Sequence, residues 1–402
     1  MKATMERFDA IVLGAGAAGL MCAMTAAQRG RRVLLLERAN QVGKKILISG
    51  GGRCNFTNLD VRPERFLSGN PHFCKSALSR YRQQDFIALV EQHGIAYHEK
   101  TLGQLFCDGS ARQIVDLLLA GCAKGGVTLR LNQDVQEISK PDDFHVVVNG
   151  SLAAAPALVV ATGGPSIPKM GATGFAYRLA EQFGVSLVPP RPALVPLTVE
   201  SAGIGLEDPG SLAGLSLDCV ARFGKAKFRE AMLFTHRGLS GPAILQISSY
   251  WQPGNEIHLD LLPDIDAAAY LKARKQERPK SEARSVLSEI FPNRLAQTIA
   301  LRHLPEGSLA NLPDRSLESL GARLKNWPVQ PTGSEGYAKA EVTAGGIDCR
   351  ELSSKTFETR KVPGLYFIGE ALDVTGWLGG YNFQWAWSSA WCCGQALTTH
   401  EG

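Results

Sequence analysis

Short apolar runs and longer helical patterns alternate along the first 165 residues, which predicts a parallel sheet with crossover helices. Residues 8–13 and 32–36 are short, apolar and rich in β-branched or leucine side chains, as buried strands are. Between them lies an uncharged run that ends at Gln28-Arg29-Gly30, a sequence that suits a helix end. Further helical patterns cover residues 75–93 and 111–124, and further strand patterns cover residues 127–131, 144–148 and 158–161.

The pattern changes in the middle of the chain. Six prolines between residues 165 and 196 indicate that the chain leaves its first domain there. Strand patterns at residues 194–199, 215–223 and 227–234 then predict a mostly β second domain. A helical period follows over residues 266–325. A last strand (364–368) and a last helix (383–397) return to the first domain. We therefore predict an α/β protein with a first domain of residues 1–190 and 339–402, a second domain of residues 191–265 and 326–338, and a helical insert of residues 266–325.

The strand–turn–helix–strand segment at the start of the chain carries a dinucleotide fingerprint. The turn reads Gly14-Ala15-Gly16-Ala17-Ala18-Gly19, and Glu37 ends the second strand. Gly14 allows a tight turn, Gly16 lets the backbone approach a pyrophosphate, and Gly19 lets helix and strand pack closely. The N–H groups at the helix start can bind phosphate, and Glu37 can accept hydrogen bonds from ribose hydroxyls. This context predicts a nucleotide site.

Three further glycine-bearing turns indicate a cofactor longer than NAD. They lie at Gly50, Gly163 and Gly369, so with Gly14 they span the whole chain. The first belongs to residues 49–58, where three consecutive glycines precede short polar side chains; this fits contact with a flat ring better than a flexible loop. A helix whose first turn follows the Tyr381-Asn382 pair would direct its positive end at a flavin and stabilise the anionic reduced form. FAD is the cofactor that this distribution predicts.

The predicted FAD contacts are the glycine turns and the polar groups beside them. In chain order they are Gly14, Gly16, Ala17, Ala18, Gly19, Glu37, Arg38, Lys45, Gly50, Gly51, Gly52, Arg53, Asn55, Thr57, Val135, Ala161, Thr162, Gly163, Gly164, Gly369, Glu370, Asp373, Gly379, Gly380, Tyr381 and Asn382. The sequence contains no second fingerprint, so we expect NAD(P)H to visit the flavin transiently and not to occupy a domain of its own.

The composition is that of a soluble globular protein. The 402 residues are 45% hydrophobic and 20% charged, which allows sizeable cores and excludes a disordered chain. Residues 10–27 could pass for a signal-peptide core, but Glu6 and Asp9 spoil the basic segment that precedes one. No other stretch is apolar enough to span a membrane. The nine cysteines include no Cys-x-x-Cys pair, so we expect reduced thiols in a cytoplasmic protein and no metal site.

Several segments together resemble the YhiN/BaiN-like FAD flavoproteins, a family often labelled NAD(P)/FAD-dependent oxidoreductase or aminoacetone oxidase. The similarity covers essentially the whole chain and is carried by the fingerprint and by residues 49–58, 70–78, 234–242, 340–346 and 369–391. It implies a Rossmann-like FAD-binding domain interrupted by a β-barrel-like domain that carries the helical insert. It also implies a reaction, because YhiN-type members are flavin-dependent dihydrouridine synthases of large-subunit (23S) ribosomal RNA. The implied partner is that RNA or a large-subunit assembly intermediate.

A basic segment gives the RNA substrate independent support. Residues 272–302 contain eight basic and three acidic side chains, an excess of +5 that equals the net charge of the chain. Basic side chains on one face supply the phosphate contacts of RNA binding, and the alternative is a helical hairpin with ordinary surface charge. The candidate RNA-binding residues are Lys272, Arg274, Lys275, Arg278, Lys280 and Arg284.

The expected reaction adds a hydride from reduced FAD to C6 of a uracil and a proton to C5, with NAD(P)H as the electron source. Cys54, His236 or Tyr381 could donate the proton, with solvent as a competitor, and Arg53 or Arg237 could polarise a uracil carbonyl. The candidate catalytic residues are Cys54, His236 and Arg53. The flavin motifs equally fit a small-molecule flavoenzyme, either an amine (aminoacetone) oxidase or a reductase of a conjugated carbonyl. An RNA-binding protein with a purely structural FAD is a third interpretation.

Overall fold

The computed structural model describes residues 5–206 and 209–398. The chain divides into two compact units. Unit 1 comprises residues 1–191 and 342–402, and unit 2 comprises residues 192–341. The chain therefore leaves unit 1 after Arg191 and returns at Val342, next to the expected boundaries at residues 190 and 339. A separate domain for residues 266–325 stays a prediction, and residues 1–4 and 399–402 of the first domain's predicted range lie outside the described residues.

Helices are found in both units and are concentrated in the insert between residues 266 and 325. Within the described residues they are α1 (Ala17–Ala27), α2 (Lys44–Ile48), α3 (Phe73–Arg80), α4 (Gln83–Gln92), α5 (Arg112–Gly125), α6 (Phe175–Gln182), α7 (Ser201–Ile204), α8 (Pro242–Ser248), α9 (Ala267–Glu277), α10 (Ala283–Leu287), α11 (Asn293–His303), α12 (Asp314–Lys325) and α13 (Tyr381–Ala396). The helical period that the sequence shows from residue 266 to residue 325 thus corresponds to α9–α12.

The strands form several sheets and are mostly short. In chain order they are β1 (Glu6–Arg7), β2 (Ala10–Leu13), β3 (Val33–Leu36), β4 (Asn55–Asn58), β5 (Phe66–Leu67), β6 (Tyr97–Glu99), β7 (Gln104–Cys107), β8 (Thr128–Arg130), β9 (Val135–Ser139), β10 (Phe144–Val148), β11 (Ser151–Ala155), β12 (Ala157–Val160), β13 (Leu187–Ala193), β14 (Leu197–Thr198), β15 (Ser216–Phe223), β16 (Ala226–Thr235), β17 (Gly238–Ser240), β18 (Ile257–Asp260), β19 (Trp327–Val329), β20 (Gly333–Ser334), β21 (Val342–Ile347), β22 (Leu365–Phe367) and β23 (Thr375–Gly376).

Unit 1 is built on a five-stranded parallel sheet in the order β22-β12-β2-β3-β8. The strands β2, β3 and β12 are four-residue apolar runs that are buried throughout, as expected for a parallel sheet covered on both faces. In the register of the sheet, Val160 lies beside both Leu13 and Phe367. The turns that follow these three residues therefore meet at one edge, which is where α/β sheets bind their ligands.

Two antiparallel additions to unit 1 position the rest of the site. The three-stranded sheet β4-β7-β6 places residues 55–58 beside the hairpin of residues 97–107. The pair β5–β23 joins Leu67 to Thr375, so the returning segment is tied to the first part of the chain. The helix α13 packs on α1, where a Cβ added to Gly394 would stand 2.7 Å from the Thr25 Cβ atom.

Unit 2 is built on a seven-stranded antiparallel sheet in the order β19-β18-β15-β16-β17-β14-β20. Between β18 and β19 the chain forms α9–α12, which bury Leu271, Leu287, Leu317 and Leu324. Leu317 and Leu324 are seven residues apart and therefore lie on one face of α12. Closure of the sheet into a barrel stays a prediction.

Two local expectations were wrong. The single helix expected over residues 75–93 is broken into α3 and α4, because Tyr81 is extended and the Arg82 N–H donates to the Asp85 carboxylate at 2.6 Å, which caps a new helix. The polar segment of residues 49–58 showed neither a helix nor a strand pattern, yet its last four residues form β4. Pairing with β7 outweighs their poor strand propensity.

All nine cysteines are free thiols and all are buried. Buried thiols pack as small apolar groups, which agrees with the expectation of reduced cysteines. Among residues 5–206 and 209–398, no helix combines the length and apolar character needed to cross a membrane.

Candidate cofactor and active site

The fingerprint turn after β2 is tightly packed at two glycines and open at the third. Gly14 has φ +96°, and a Cβ added to Gly19 would stand 1.7 Å from the Gly14 carbonyl oxygen. A Cβ added to Gly16, in contrast, would meet no atom within 4 Å. Gly16 is the N-cap of α1, so this open space lies at the unpaired N–H groups of the first helical turn. An anionic group fits there.

Glu37 lies at the end of β3, on the same edge of the sheet as the fingerprint. Its carboxylate accepts the N–H groups of Ala15 and Ala39 at 2.7 and 2.8 Å. These bonds fix the carboxylate beside the turn and leave lone pairs for ribose hydroxyls. The neighbouring Arg38 is exposed and approaches Asp134 at 4.0 Å, directly before β9 begins at Val135.

The glycine-rich loop before β4 presents bare backbone. Gly50 and Gly51 have φ of +57° and +67°, and a Cβ added to Gly51 would meet no atom within 4 Å. A Cβ added to Gly52 would meet only the Leu47 carbonyl oxygen, at 3.9 Å. Arg53, next along the chain, has an exposed side chain. The loop can therefore receive a planar group against its main chain.

Polar side chains of β4 hold the turn that leads into α13. Asn58 Nδ2 donates to the Gly379 carbonyl oxygen at 2.9 Å, and Thr57 Oγ1 donates to Gln384 Oε1 at 2.7 Å. Asn55 lies beside the same turn, 2.8 Å from where a Cβ on Gly380 would stand. Thr57 and Asn58 are fully buried. We infer that Thr57 and Asn55, which were expected to contact the cofactor, position the glycine turn.

The start of α13 is fixed by its own loop. Gly380, with φ +94°, precedes the first helical residue, Tyr381. The amide of Asn382 brackets Gly376: Oδ1 accepts its N–H at 2.8 Å and Nδ2 donates to its carbonyl at 2.9 Å. Tyr381 is buried and packs edge-on against Phe66, with ring centroids 6.1 Å apart. The helix start therefore offers N–H groups and a positive dipole end in a rigid setting.

A charged cluster lies where the segments after β3, β12 and β22 come together. Lys45 Nζ donates to Ser166 Oγ at 2.6 Å and to Glu370 Oε2 at 2.7 Å. Ser166 Oγ in turn donates to Glu370 Oε1 at 2.6 Å, and the Thr343 N–H donates to the same oxygen at 3.0 Å. The Glu370 carboxylate is thus held by three donors, so its orientation is fixed.

Beside this cluster lie two hydroxyl groups without partners. Among the described residues, Thr162 Oγ1 and Thr343 Oγ1 are buried and make no hydrogen bond. A Cβ added to Gly164 would stand 2.5 Å from Thr343 Oγ1, and one added to Gly163 would stand 3.6 Å from Glu370 Oε2. Buried polar groups are normally satisfied, so these hydroxyls indicate that a polar ligand belongs here. The open space at Gly16 and the unsatisfied hydroxyls both fit a dinucleotide cofactor.

Two residues predicted for the site are engaged otherwise. The Cys54 thiol is 0% exposed in the core of unit 1, and burial raises its pKa far above the ordinary value. A thiol in this state cannot touch a substrate and holds its proton tightly, so the structure argues against Cys54 as a proton donor. Asp373 is buried, and its Oδ2 accepts the Gly69 N–H at 2.7 Å.

His236 and Arg237 belong to unit 2 and form the two-residue turn between β16 and β17. Both side chains are exposed. The Arg237 guanidinium approaches the Glu335 carboxylate at 3.7 Å. The turn is held by its strands, while its two functional side chains remain available to a ligand.

Most of the predicted RNA-binding residues are ion-paired within unit 2. Lys272, Lys275 and Arg284 pair with Glu318, Asp314 and Glu282 at 2.8, 2.7 and 2.6 Å, and Arg274 and Arg278 both pair with Glu289. Two of these acids follow residue 302, so the charge excess of the segment overstated its free positive charge. Lys280 is exposed and takes part in none of the described ion pairs.

One residue at the cofactor edge was not among the predicted contacts. Ser166 is fully buried in the Lys45–Glu370 cluster. Its position two residues after Gly164 was the signal in the sequence that could have found it.

Comparison with known proteins gives a consistent result. Residues 8–396 match the model of the HI0933-like protein Rossmann domain. The chain is 55% identical over 397 residues to the "Ribosomal RNA dihydrouridine synthase" of Escherichia coli (strain K12), covering 98% of each protein. It is 28% identical to the "3-dehydro-bile acid delta(4,6)-reductase" of Clostridium scindens over 96% of this chain and 98% of the relative.

Among solved structures, the 3-ketosteroid-Δ4-(5α)-dehydrogenase of Rhodococcus jostii RHA1 has the same fold, with a TM-score of 0.51 and 16% identity over 97% of each chain. The prediction of an α/β fold with a Rossmann-like FAD-binding domain is therefore confirmed. The family match spans nearly the whole chain, and the high-identity relative is matched end to end. The chain belongs to the HI0933-like family of Rossmann-domain flavoproteins.

Proposed function

We propose that this protein is a ribosomal RNA dihydrouridine synthase that uses FAD, and that NAD(P)H reduces this FAD. The observation that carries the proposal is the 55% identity, over 98% of both chains, to a protein of that name. We further propose 23S RNA, free or in a large-subunit assembly intermediate, as the substrate. The enzyme would then act in the cytoplasm, where ribosomes assemble.

The chemistry connects this function to the family's other activities. The C5=C6 bond of uracil is a carbon–carbon double bond conjugated to a ring carbonyl, as is the bond named in a Δ4,6-reductase of a 3-dehydro bile acid. Bound FAD, once reduced, would supply the hydride for such a bond. A member of such a family would act on uracil if its substrate-binding residues fitted that base, because the hydride transfer from the flavin is the same.

The residues that would hold FAD follow from the geometry. The diphosphate would bind at the N–H groups behind Gly16, and Glu37 would accept the ribose hydroxyls. Glu370 and the unpaired Thr162 hydroxyl would bind the ribityl hydroxyls. The glycine turn before α13 would place a helix N-terminus at the ring, where it stabilises negative charge.

The substrate residues have separate tasks. A uridine must leave its stack to be reduced, at a cost of a few kcal/mol. Either Arg53 or Arg237, both with exposed side chains, would stabilise negative charge on a uracil carbonyl, and exposed Lys280 would contact phosphate. His236, whose side chain is exposed, remains a candidate proton donor.

The direct test uses recombinant protein with bound FAD and 23S RNA from cells that lack the gene. We expect NAD(P)H-dependent formation of dihydrouridine, detected by mass spectrometry of nucleosides, and loss of the product in high salt because RNA binding releases counterions. Absence of product, with a flavin that NAD(P)H reduces and with intact 23S RNA, would contradict the proposal.

A reductase of small conjugated carbonyls is the second candidate, because the bile-acid reductase relative covers 96% of this chain. This candidate predicts that enones reoxidise the reduced flavin faster than RNA does. An amine oxidase would instead show flavin reduction by amines and release of peroxide. Stopped-flow mixing of the reduced enzyme with RNA, an enone or oxygen separates the three.

A further inference from the structure

The turn between β6 and β7 (residues 100–103, the hairpin tip) exposes a leucine in an unfavourable backbone conformation. Leu102 has φ +52°, a left-handed conformation that asparagine and glycine adopt more readily than a bulky apolar residue. Its side chain is 64% exposed. Among the described residues, it is the non-glycine residue with positive φ that also exposes a large apolar side chain. Neither property stabilises the folded chain, so together they point to a contact with a ligand.

One buried side chain ties the hairpin tip to the glycine turn before α13. Asn58 Nδ2 donates to the carbonyl oxygens of Leu102 and Gly379, at 3.0 and 2.9 Å. These two oxygens are therefore at most 5.9 Å apart, the sum of the two distances. The first residue of β7 packs on the same turn, since a Cβ added to Gly379 would stand 2.9 Å from the Gln104 Cγ atom. All of these residues belong to unit 1, so Leu102 lies next to the turn that is proposed to hold the flavin ring.

The hairpin tip is held in place from two sides. The Leu59 N–H donates to the Gly103 carbonyl oxygen at 2.8 Å, and the Gly103 N–H donates to the Glu99 carboxylate at 3.2 Å. Leu59 also lies against the tip, because a Cβ added to Gly103 would stand 3.3 Å from the Leu59 Cβ atom. The Leu102 side chain therefore projects from a rigid support, as a side chain that must enter a ligand requires.

A rigid apolar tip beside a flavin fits a stacked strand of nucleic acid. Proteins that open a base stack insert an apolar side chain, such as leucine or methionine, between neighbouring bases. Exposed Lys100 precedes Leu102 by two residues, and its Nζ atom lies 5.5 Å from the centroid of the Phe106 ring. Its positive charge can attract a phosphate of the same strand. The tip thus combines a group that separates bases with a group that attracts their backbone.

We propose that Leu102 is a wedge that enters the base stack of the RNA and keeps the target uridine out of it, an inference that rests on the proposed dihydrouridine synthase function. When the uridine leaves its stack, a gap remains between the two flanking bases. The Leu102 side chain fills this gap and stabilises the extruded state. The uracil then stays available to the reduced flavin, and Leu102 itself takes no part in bond making or breaking.

The test compares Leu102→Asn and Leu102→Met with a control, Leu301→Asn, which changes a leucine of α11 that is 66% exposed. Because asparagine tolerates the left-handed conformation, Leu102→Asn should keep or raise Tm while removing the wedge. Each FAD-loaded protein is reduced anaerobically and mixed with 23S RNA from cells lacking the gene. We expect Leu102→Asn to lower the single-turnover rate of dihydrouridine formation by about 10- to 100-fold, because the cost of unstacking is no longer offset. Leu102→Met, which keeps an apolar side chain, and Leu301→Asn should stay within about threefold of the wild type.

Two further measurements separate a wedge from a structural role. The flavin spectrum and the rate of flavin reduction by NAD(P)H should be the same in Leu102→Asn and in the wild type, because neither involves RNA. The ratio of the wild-type rate to the Leu102→Asn rate should fall as the temperature is raised, since heat unstacks the bases before the enzyme must do so. A ratio that does not change with temperature would contradict the proposed wedge.

A Leu102→Asn rate within about threefold of the wild type would overturn the assignment. So would an equal loss of rate in Leu102→Met, or a wild-type dimer that Leu102→Asn converts to a monomer in analytical ultracentrifugation, because the leucine would then contact a second copy of the chain. If the wild type itself forms no dihydrouridine, the proposed function fails and the inference falls with it, so the two failures are distinguishable.

Discussion

An aspartate at Gly16 should weaken FAD binding and spare the fold. Gly16 has φ −81°, which any residue can adopt, and a Cβ there would meet no atom within 4 Å. It is also the N-cap of α1, a position that favours Asp and Asn. Gly16→Asp and Gly16→Asn should therefore leave the free energy of unfolding of the apoprotein unchanged, or raise it by about 0.3 kcal/mol.

The two variants differ in charge, and only the aspartate repels a bound diphosphate electrostatically. A carboxylate and one phosphate charge about 5 Å apart repel each other by roughly 3 kcal/mol at an effective dielectric constant of about 20. We therefore expect the Kd for FAD of Gly16→Asp to exceed that of Gly16→Asn by about 150-fold. Titration of the apoproteins with FAD, followed by flavin fluorescence, measures this ratio.

Gly19→Ala provides the contrasting control. Its Cβ would stand 1.7 Å from the Gly14 oxygen, so α1 must move away from the turn. We expect a loss of about 3 kcal/mol in the apoprotein, which in a unit of this size lowers Tm by about 6–12 °C. Equal FAD affinities of Gly16→Asp and Gly16→Asn would refute the placement of the phosphates at the start of α1, as would a Gly16→Asp apoprotein as unstable as Gly19→Ala.

Four further predictions follow from particular contacts. Lys45→Met should lower the free energy of unfolding by about 2 kcal/mol, which lies between the values for exposed and buried ion pairs. In urea titrations, Lys45→Met should cost less in a protein that already carries Glu370→Gln than in the wild type. Fully additive losses would show that the two side chains are not coupled. Asp373→Asn should stabilise the apoprotein more at about pH 8 than at about pH 5, because burial raises the pKa of Asp373 and the wild type loses stability as pH rises through it; equal gains in thermal melts would contradict this. Cys54→Ala should keep the single-turnover rate of dihydrouridine formation, and a large loss would restore the thiol as a donor. Lys280→Ser should reduce the slope of log Kd for RNA against log salt by about 0.7–0.9, and an unchanged slope would remove Lys280 from the interface.

The parts of the site that could be predicted from sequence are the ones with a local physical cause. The turn at Gly14 needs a left-handed φ, and the contact between Gly14 and Gly19 leaves no room for a side chain, so glycine is required at fixed spacing. The buried strands around it are continuous apolar runs, because both faces of the sheet are covered.

The parts that could not be predicted depend on partners far away in the chain. In the sequence, Asn58 is typical of a loop and Ser166 is typical of the surface. The structure shows that Asn58 is hydrogen-bonded to Gly379 and that Ser166 is hydrogen-bonded to Lys45 and Glu370. The position of Cys54 beside the glycines made it a reasonable candidate for the proton donor. Its burial comes from the packing of unit 1, which its neighbours in sequence do not reveal.

The charge count over residues 272–302 overestimated the free positive charge for a similar reason. The excess of residues 272–302 ignored Asp314 and Glu318 on α12, which pair with Lys275 and Lys272 on α9. Helices packed side by side bring together charges that lie 39 and 46 residues apart. Free positive charge is a property of the folded surface and cannot be read from a segment.

The central claim is that this flavoprotein reduces a uridine in large-subunit ribosomal RNA. The most direct test maps dihydrouridine in ribosomal RNA from cells lacking the gene, by borohydride-dependent stops of reverse transcription. We predict that a stop in 23S RNA disappears in these cells, returns with the wild-type gene and does not return with Gly16→Asp. An unchanged set of stops in 23S RNA, alongside normal dihydrouridine in transfer RNA as a control, would contradict the claim.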